Sequence, residues 1–103
     1  MRLRLVGRIS TDDPSKLRPA LHEIARRYEG TYRTTAEGFE VEFVREAPDA
    51  RDANRELLTE LRRAVKKTRL RAEWTHGTTL ERFFDYVPKG TLRASDAGPA
   101  GTL

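Results

Sequence analysis

The chain has 103 residues, enough for one domain with a single core in which every apolar segment is needed. Hydrophobic residues make up 37% and charged residues 35%, the balance of a globular chain with a densely charged surface. A net charge of +4 permits an acidic partner without requiring one, and the absence of cysteine excludes disulfides, thiolate metal sites and cysteine nucleophiles.

Residues 2–9, RLRLVGRI, alternate with period two, so Leu3, Leu5 and Ile9 share one face and Arg2, Arg4 and Arg8 the other. This predicts a strand with one charged face. The same alternation stands where a secretory signal needs an unbroken apolar stretch, and no run is long enough to span a bilayer. No membrane association and a cytoplasmic location are therefore expected.

Asp12, Asp13 and Pro14 break the strand, and Leu17, Leu21, Ile24, Ala25 and Tyr28 recur at helical spacing up to Gly30. Because Pro19 disfavours helix at Arg18, the expectation is an irregular first turn over 14–18 or a helix that begins at Pro19. The segment TYRTTAEGFEVEFV reads as a hairpin about Glu37-Gly38, with Gly38 supplying a positive φ. That turn would set Tyr32 opposite Phe43, Thr34 opposite Val41 and Arg33 opposite Glu42.

The stretch from Pro48 to Arg71 carries the strongest periodicity. Ala50, Ala53, Leu57, Leu58, Leu61, Ala64 and Val65 fall on one arc, which predicts a core-facing helix, and Asp49 and Asp52 suit its N-terminal end. Its polar side divides into a band of both signs, with Glu60 and Arg63 as an i,i+3 pair, and a band of Arg51, Arg55, Arg62, Lys66 and Arg69 without an acid. The second band is a candidate contact for phosphates or an acidic partner; the plainer reading is a solvated face. Leu70, Ala72, Trp74 and His76 then alternate with Arg71, Glu73 and Thr75, a fourth strand.

In GTTLERFFDYVP, Thr78 and Glu81 have capping-box spacing and Leu80, Phe83, Phe84 and Val87 recur at i, i+3, i+4 and i+7. A short third helix over 79–87 is expected, with a strand after a turn at Gly77-Thr78 as the competing reading. These apolar side chains cap the core or form a protein interface. Residues 89–103 read as a flexible tail beyond a domain spanning 1–88.

Strand, helix, strand, strand, helix, strand predicts a ferredoxin-like α+β sandwich, a four-stranded antiparallel sheet with two helices on one face. The other face would show arginines and glutamates that neutralise one another across strands, without the stacking aromatics of an RNA-recognition motif.

His22 and His76 lie at no metal-ligand spacing, and no nucleophile elbow, P-loop, dinucleotide-binding glycine motif or catalytic carboxylate pair is present, so no cofactor is expected. Trp74, His76 and Tyr86 are candidates for a small pocket. The expected function is a non-catalytic interaction module acting on a partner protein or a second copy of itself through Leu80, Phe83, Phe84 and Val87. The alternative is a nucleic-acid binder using the basic helix band on phosphates.

Overall fold

The computed structural model describes residues 1–93. They form β1 (Arg2–Ser10), α1 (Pro14–Arg27), β2 (Thr31–Thr34), β3 (Gly38–Glu46), α2 (Ala50–Ala64), β4 (Arg69–His76), β5 (Thr79–Phe84) and β6 (Val87–Arg93). The six strands make one antiparallel sheet in the order β2-β3-β1-β4-β5-β6. Leu3, Leu5, Ile9, Phe39, Phe43, Leu70 and Trp74 face the helices and close one core with Leu17, Leu21, Ile24, Leu57, Leu58 and Leu61. Among the described residues no helix lies on the opposite face of the sheet.

The four-stranded ferredoxin-like sandwich expected from the sequence is therefore overturned, because residues 79–93 add two further strands beyond β4. The short helix over 79–87 does not form. Its spacing fitted a helix, but Gly77 takes a positive φ of 56° and turns the chain straight back along β4, and Thr79, Phe83, Phe84 and Val87 favour a pleated strand. Strand alternation then sends Phe83 into the core and Phe84 to the open face. Residues 89–93, assigned to the tail, belong to β6, and the rest of that tail lies outside the described residues.

Helix α1 is regular from Pro14, so neither expectation about its start holds. The Asp13 carboxylate accepts the Lys16 amide at 3.2 Å, and Pro19 sits exposed near the N-terminal end, where its missing N–H forgoes only one bond. In α2, Asp49 caps Asp52 in the same way at 2.8 Å. The surface pair expected at Glu60 and Arg63 is replaced by one between helices, Arg27 to Glu60 at 2.6 Å.

The β2–β3 register differs from the expected one by two residues: Arg33 stands opposite Glu40 and Thr34 opposite Phe39, so the faces are kept while the pairs change. The loop is Thr35 to Glu37, closed by the Thr35 amide on the Gly38 carbonyl at 2.9 Å and the Gly38 amide on Thr35 Oγ1 at 3.1 Å. Gly38 has no positive φ. It is needed because a Cβ there would lie 2.1 Å from the Ile9 carbonyl oxygen.

Candidate functional site

Antiparallel pairing aligns side chains of the uncovered face in rows that cross the sheet. One row runs Thr31, Glu42, Val6, Glu73, Arg82, and both of its carboxylates are paired: Arg82 Nε donates to Glu73 at 2.9 Å, and Arg4 approaches Glu42 at 3.8 Å from the neighbouring row. The next row runs Arg33, Glu40, Arg8, Arg71, Phe84, Val87. It holds one carboxylate for three guanidiniums. Glu40 is taken by Arg33, whose Nε donates to it at 2.8 Å.

Arg8 and Arg71 thus face each other across β1 and β4, and among the described residues no carboxylate lies within 4 Å of either or of Arg69, which follows on the same face opposite Ser10. Like charges set directly opposite on one face of a sheet are destabilising, so this is the site at which the neutralisation expected from sequence breaks down. The Arg71 guanidinium lies 5.0 Å from the ring centre of half-buried Phe84. That contact directs it over an aromatic surface.

Two depressions adjoin at this row. A trough of about 800 Å³ extends over Val6, Tyr32, Arg82 and Lys89, and one of about 670 Å³ runs over Ser10, Thr35 and Arg69. Arg8, Glu40, Arg71 and Phe84 line both, forming the ridge between them.

The residues singled out from the sequence are not brought together. Within the basic helix band, Arg55 is held by Asp52 at 2.6 Å. Arg62 turns inward: its Nε donates to the Thr68 carbonyl at 2.9 Å, its Nη2 lies 3.4 Å from Asp85, and its guanidinium covers Tyr86. Arg51 and Lys66 remain exposed on the helix side, whereas strand alternation carries Arg69 to the open face, so the acid-free band expected on α2 is broken up.

The proposed apolar interface divides likewise. Phe83 is 5% exposed and belongs to the core, Leu80 and Phe84 are half-buried on the open face, and Val87 is exposed. Trp74, His76 and Tyr86 form no common pocket. Trp74 is wholly buried, with its indole N–H donating to Asn54 Oδ1 at 3.2 Å; His76 Nε2 lies 2.8 Å from Glu81; Tyr86 points away, its hydroxyl 3.2 Å from Thr59 Oγ1. Neither depression is lined by any of the three.

Two features escaped the sequence reading. The Arg8–Arg71 juxtaposition was within reach, since both alternations were read correctly, but it needs the β1–β4 register. The polar centre at Asn54 and Asp85 had no local signal: Asn54 Nδ2 donates to the Asp85 carbonyl at 2.7 Å, and the Asp85 carboxylate accepts the Leu70 amide at 2.9 Å. Among the described residues no cluster of His, Asp and Glu is placed to hold a metal ion, and no helix is long and apolar enough to cross a membrane. No protein-family model, no curated protein and no solved structure matches the chain.

Proposed function

We propose that this chain is a non-catalytic binding module that holds nucleic acid by its phosphates on the open face of the sheet. The observation that carries the reading is the row Arg33, Glu40, Arg8, Arg71, with three guanidiniums for one carboxylate at the centre of an uncovered surface. An anion seated between Arg8 and Arg71 turns their repulsion into two attractions, and guanidinium forks match phosphate oxygens in pairs. The ligand class is the one expected for the basic helix band, but the surface is different. Arg55 and Arg62 already have protein partners and would have to release them to bind.

The test is fluorescence anisotropy of labelled mixed-sequence DNA and RNA at low and near-physiological salt. Binding should fall steeply with salt and weaken by about tenfold or more in Arg8→Gln/Arg71→Gln. Arg51→Gln/Lys66→Gln should bind as the wild type does. The reverse order of the two double variants would return the site to the helix, and no binding at low salt would sink the reading.

A second reading, association with a partner protein or a second copy, rests on β6. All seven of its residues are exposed at the sheet edge, including Val87 at 53% and Leu92 at 51%. Pro88 and Lys89 oppose it, since both blunt an edge against further pairing. Light scattering over a wide concentration range tests self-association, with Leu92→Glu as the comparison; a monomer throughout removes the homodimer.

A further inference from the structure

We infer that the nucleic acid taken by this face is single-stranded and crosses the Arg8–Arg71 ridge with one base laid on the Arg71–Phe84 pair. The inference rests on the phosphate reading above and specifies its ligand. Three observations carry it beyond phosphate binding alone.

The site is elongated and continuous. Depressions of about 800 and 670 Å³ meet at a shared ridge, and each is within the range that holds a drug-sized molecule. A single phosphate or one nucleotide would use only half of this space; a linear polymer crossing the ridge uses both halves.

The cations follow the same path. Lys89 lines the first depression, Arg69 the second, and Arg8 with Arg71 stands on the ridge between them. Of the four carboxylates that line the two depressions, Glu40 is held by Arg33, Glu73 by Arg82, and Glu42 is approached by Arg4, whereas Glu37 in the second depression has no ion-pair partner among the described residues. A negatively charged backbone therefore meets cations without a carboxylate partner among the described residues on each side of the ridge and at its crest, three of them (Arg8, Arg71 and Arg69) against Glu37 around the second depression.

The crest is also aromatic. Phe84 is half-buried and lines both depressions, with the Arg71 guanidinium 5.0 Å from its ring centre. An unstacked base can extend that pair, since every base offers a π-face to an aromatic ring or a guanidinium plane. A duplex cannot do so without disrupting its own stack. Its phosphates lie on the outside of a rigid rod, which suits a protein element that projects into a groove better than a ridge between two hollows.

The experiment measures labelled dT15 and U15 by anisotropy against the full chain, with a 15-base-pair duplex and heparin as competitors. Single strands should bind roughly tenfold or more tightly than the duplex. Phe84→Leu should weaken single-strand binding by about 5- to 100-fold, the range for loss of one base–aromatic stack, and heparin binding by much less. Phe84→Tyr, which keeps the ring, should bind as the wild type does. Should Phe84→Leu not fold, the wild-type competition and Phe84→Tyr decide the question.

Equal binding of single strand, duplex and heparin, all weakened by Arg8→Gln, would overturn the single-strand inference and leave the phosphate reading standing. Wild-type affinity in folded Phe84→Leu, or loss of binding in Phe84→Tyr, would overturn the stacked base. No binding of any probe would remove both readings.

Discussion

Asn54 on α2 accepts the indole N–H of Trp74 from β4 at 3.2 Å, in the interior of the protein. The same side chain donates to the carbonyl of Asp85 in the β5–β6 turn at 2.7 Å. One amide therefore ties the helix layer to the sheet and to the hairpin that the sequence did not predict. Asp85 itself holds a positive φ of 55° and is fixed from three further sides, by the amide and carbonyl of Leu70 and by Arg62. These bonds compensate for a conformation that a residue with a Cβ rarely adopts.

Asn54→Ala leaves the indole N–H and the Asp85 carbonyl without their partner, and a buried polar group left unpaired costs about 1–3 kcal/mol. Urea unfolding should report a loss of roughly 2–4 kcal/mol, because the Asp85 end can recover water while the indole end cannot. An unchanged midpoint would mean that the amide is not a structural link.

Local pattern made most of the protein legible. Alternation placed Leu3, Leu5 and Ile9 against the core, and the α2 arc from Ala50 to Val65 was read residue by residue, with only half-buried Ala64 marginal. The errors arose where one pattern fits two structures. Leu80, Phe83, Phe84 and Val87 satisfy a helical period, yet in β5 and β6 they divide between core and open face, and the deciding contacts, Asp85 with Leu70 and Asn54, join segments 15 and 31 residues apart. The functional row was hidden for the same reason. Arg8 and Arg71 are each ordinary surface arginines, and only the register of β1 on β4 makes them a pair.

Gly38 and Gly77 should respond to substitution in opposite ways. A Cβ at Gly38 would lie 2.1 Å from the Ile9 carbonyl oxygen, a backbone atom that cannot swing aside. At Gly77 nothing lies within 4 Å, and the only obstacle is its φ of 56°. Asn tolerates that conformation. Gly77→Asn should therefore stay within about 1 kcal/mol of wild type by urea unfolding, whereas Gly38→Asn should lose about 3 kcal/mol or more by forcing β3 away from β1. Equal losses would show that the close approach of the two strands is soft.

Arg8→Gln should make the free protein more stable and the binder worse. Removing one of two guanidiniums opposed across β1 and β4 relieves a repulsion of about 0.2–1 kcal/mol, while Glu40 keeps its bond to Arg33. For a chain of this size that is a rise in Tm of about 1–5 °C, larger at low salt than at high salt. A fall in Tm would show that Arg8 is a structural residue, and the argument from its juxtaposition with Arg71 would fail.

The salt dependence of binding counts the phosphates engaged. Arg8, Arg71, Arg69 and Lys89 are the cations of the two depressions and their ridge without a carboxylate partner among the described residues. For a single strand, each neutralised phosphate contributes about −0.7 to the slope of log K against log salt, so three or four contacts predict a slope of roughly −2 to −3. Substituting Arg8 or Arg69 by Gln should make that slope shallower by about 0.7 for each, and substituting Arg51 should leave it alone. Anisotropy titrations at four or more salt concentrations measure it directly. A slope that does not change in Arg8→Gln, even with weaker binding, would mean that the arginine shapes the face without touching a phosphate.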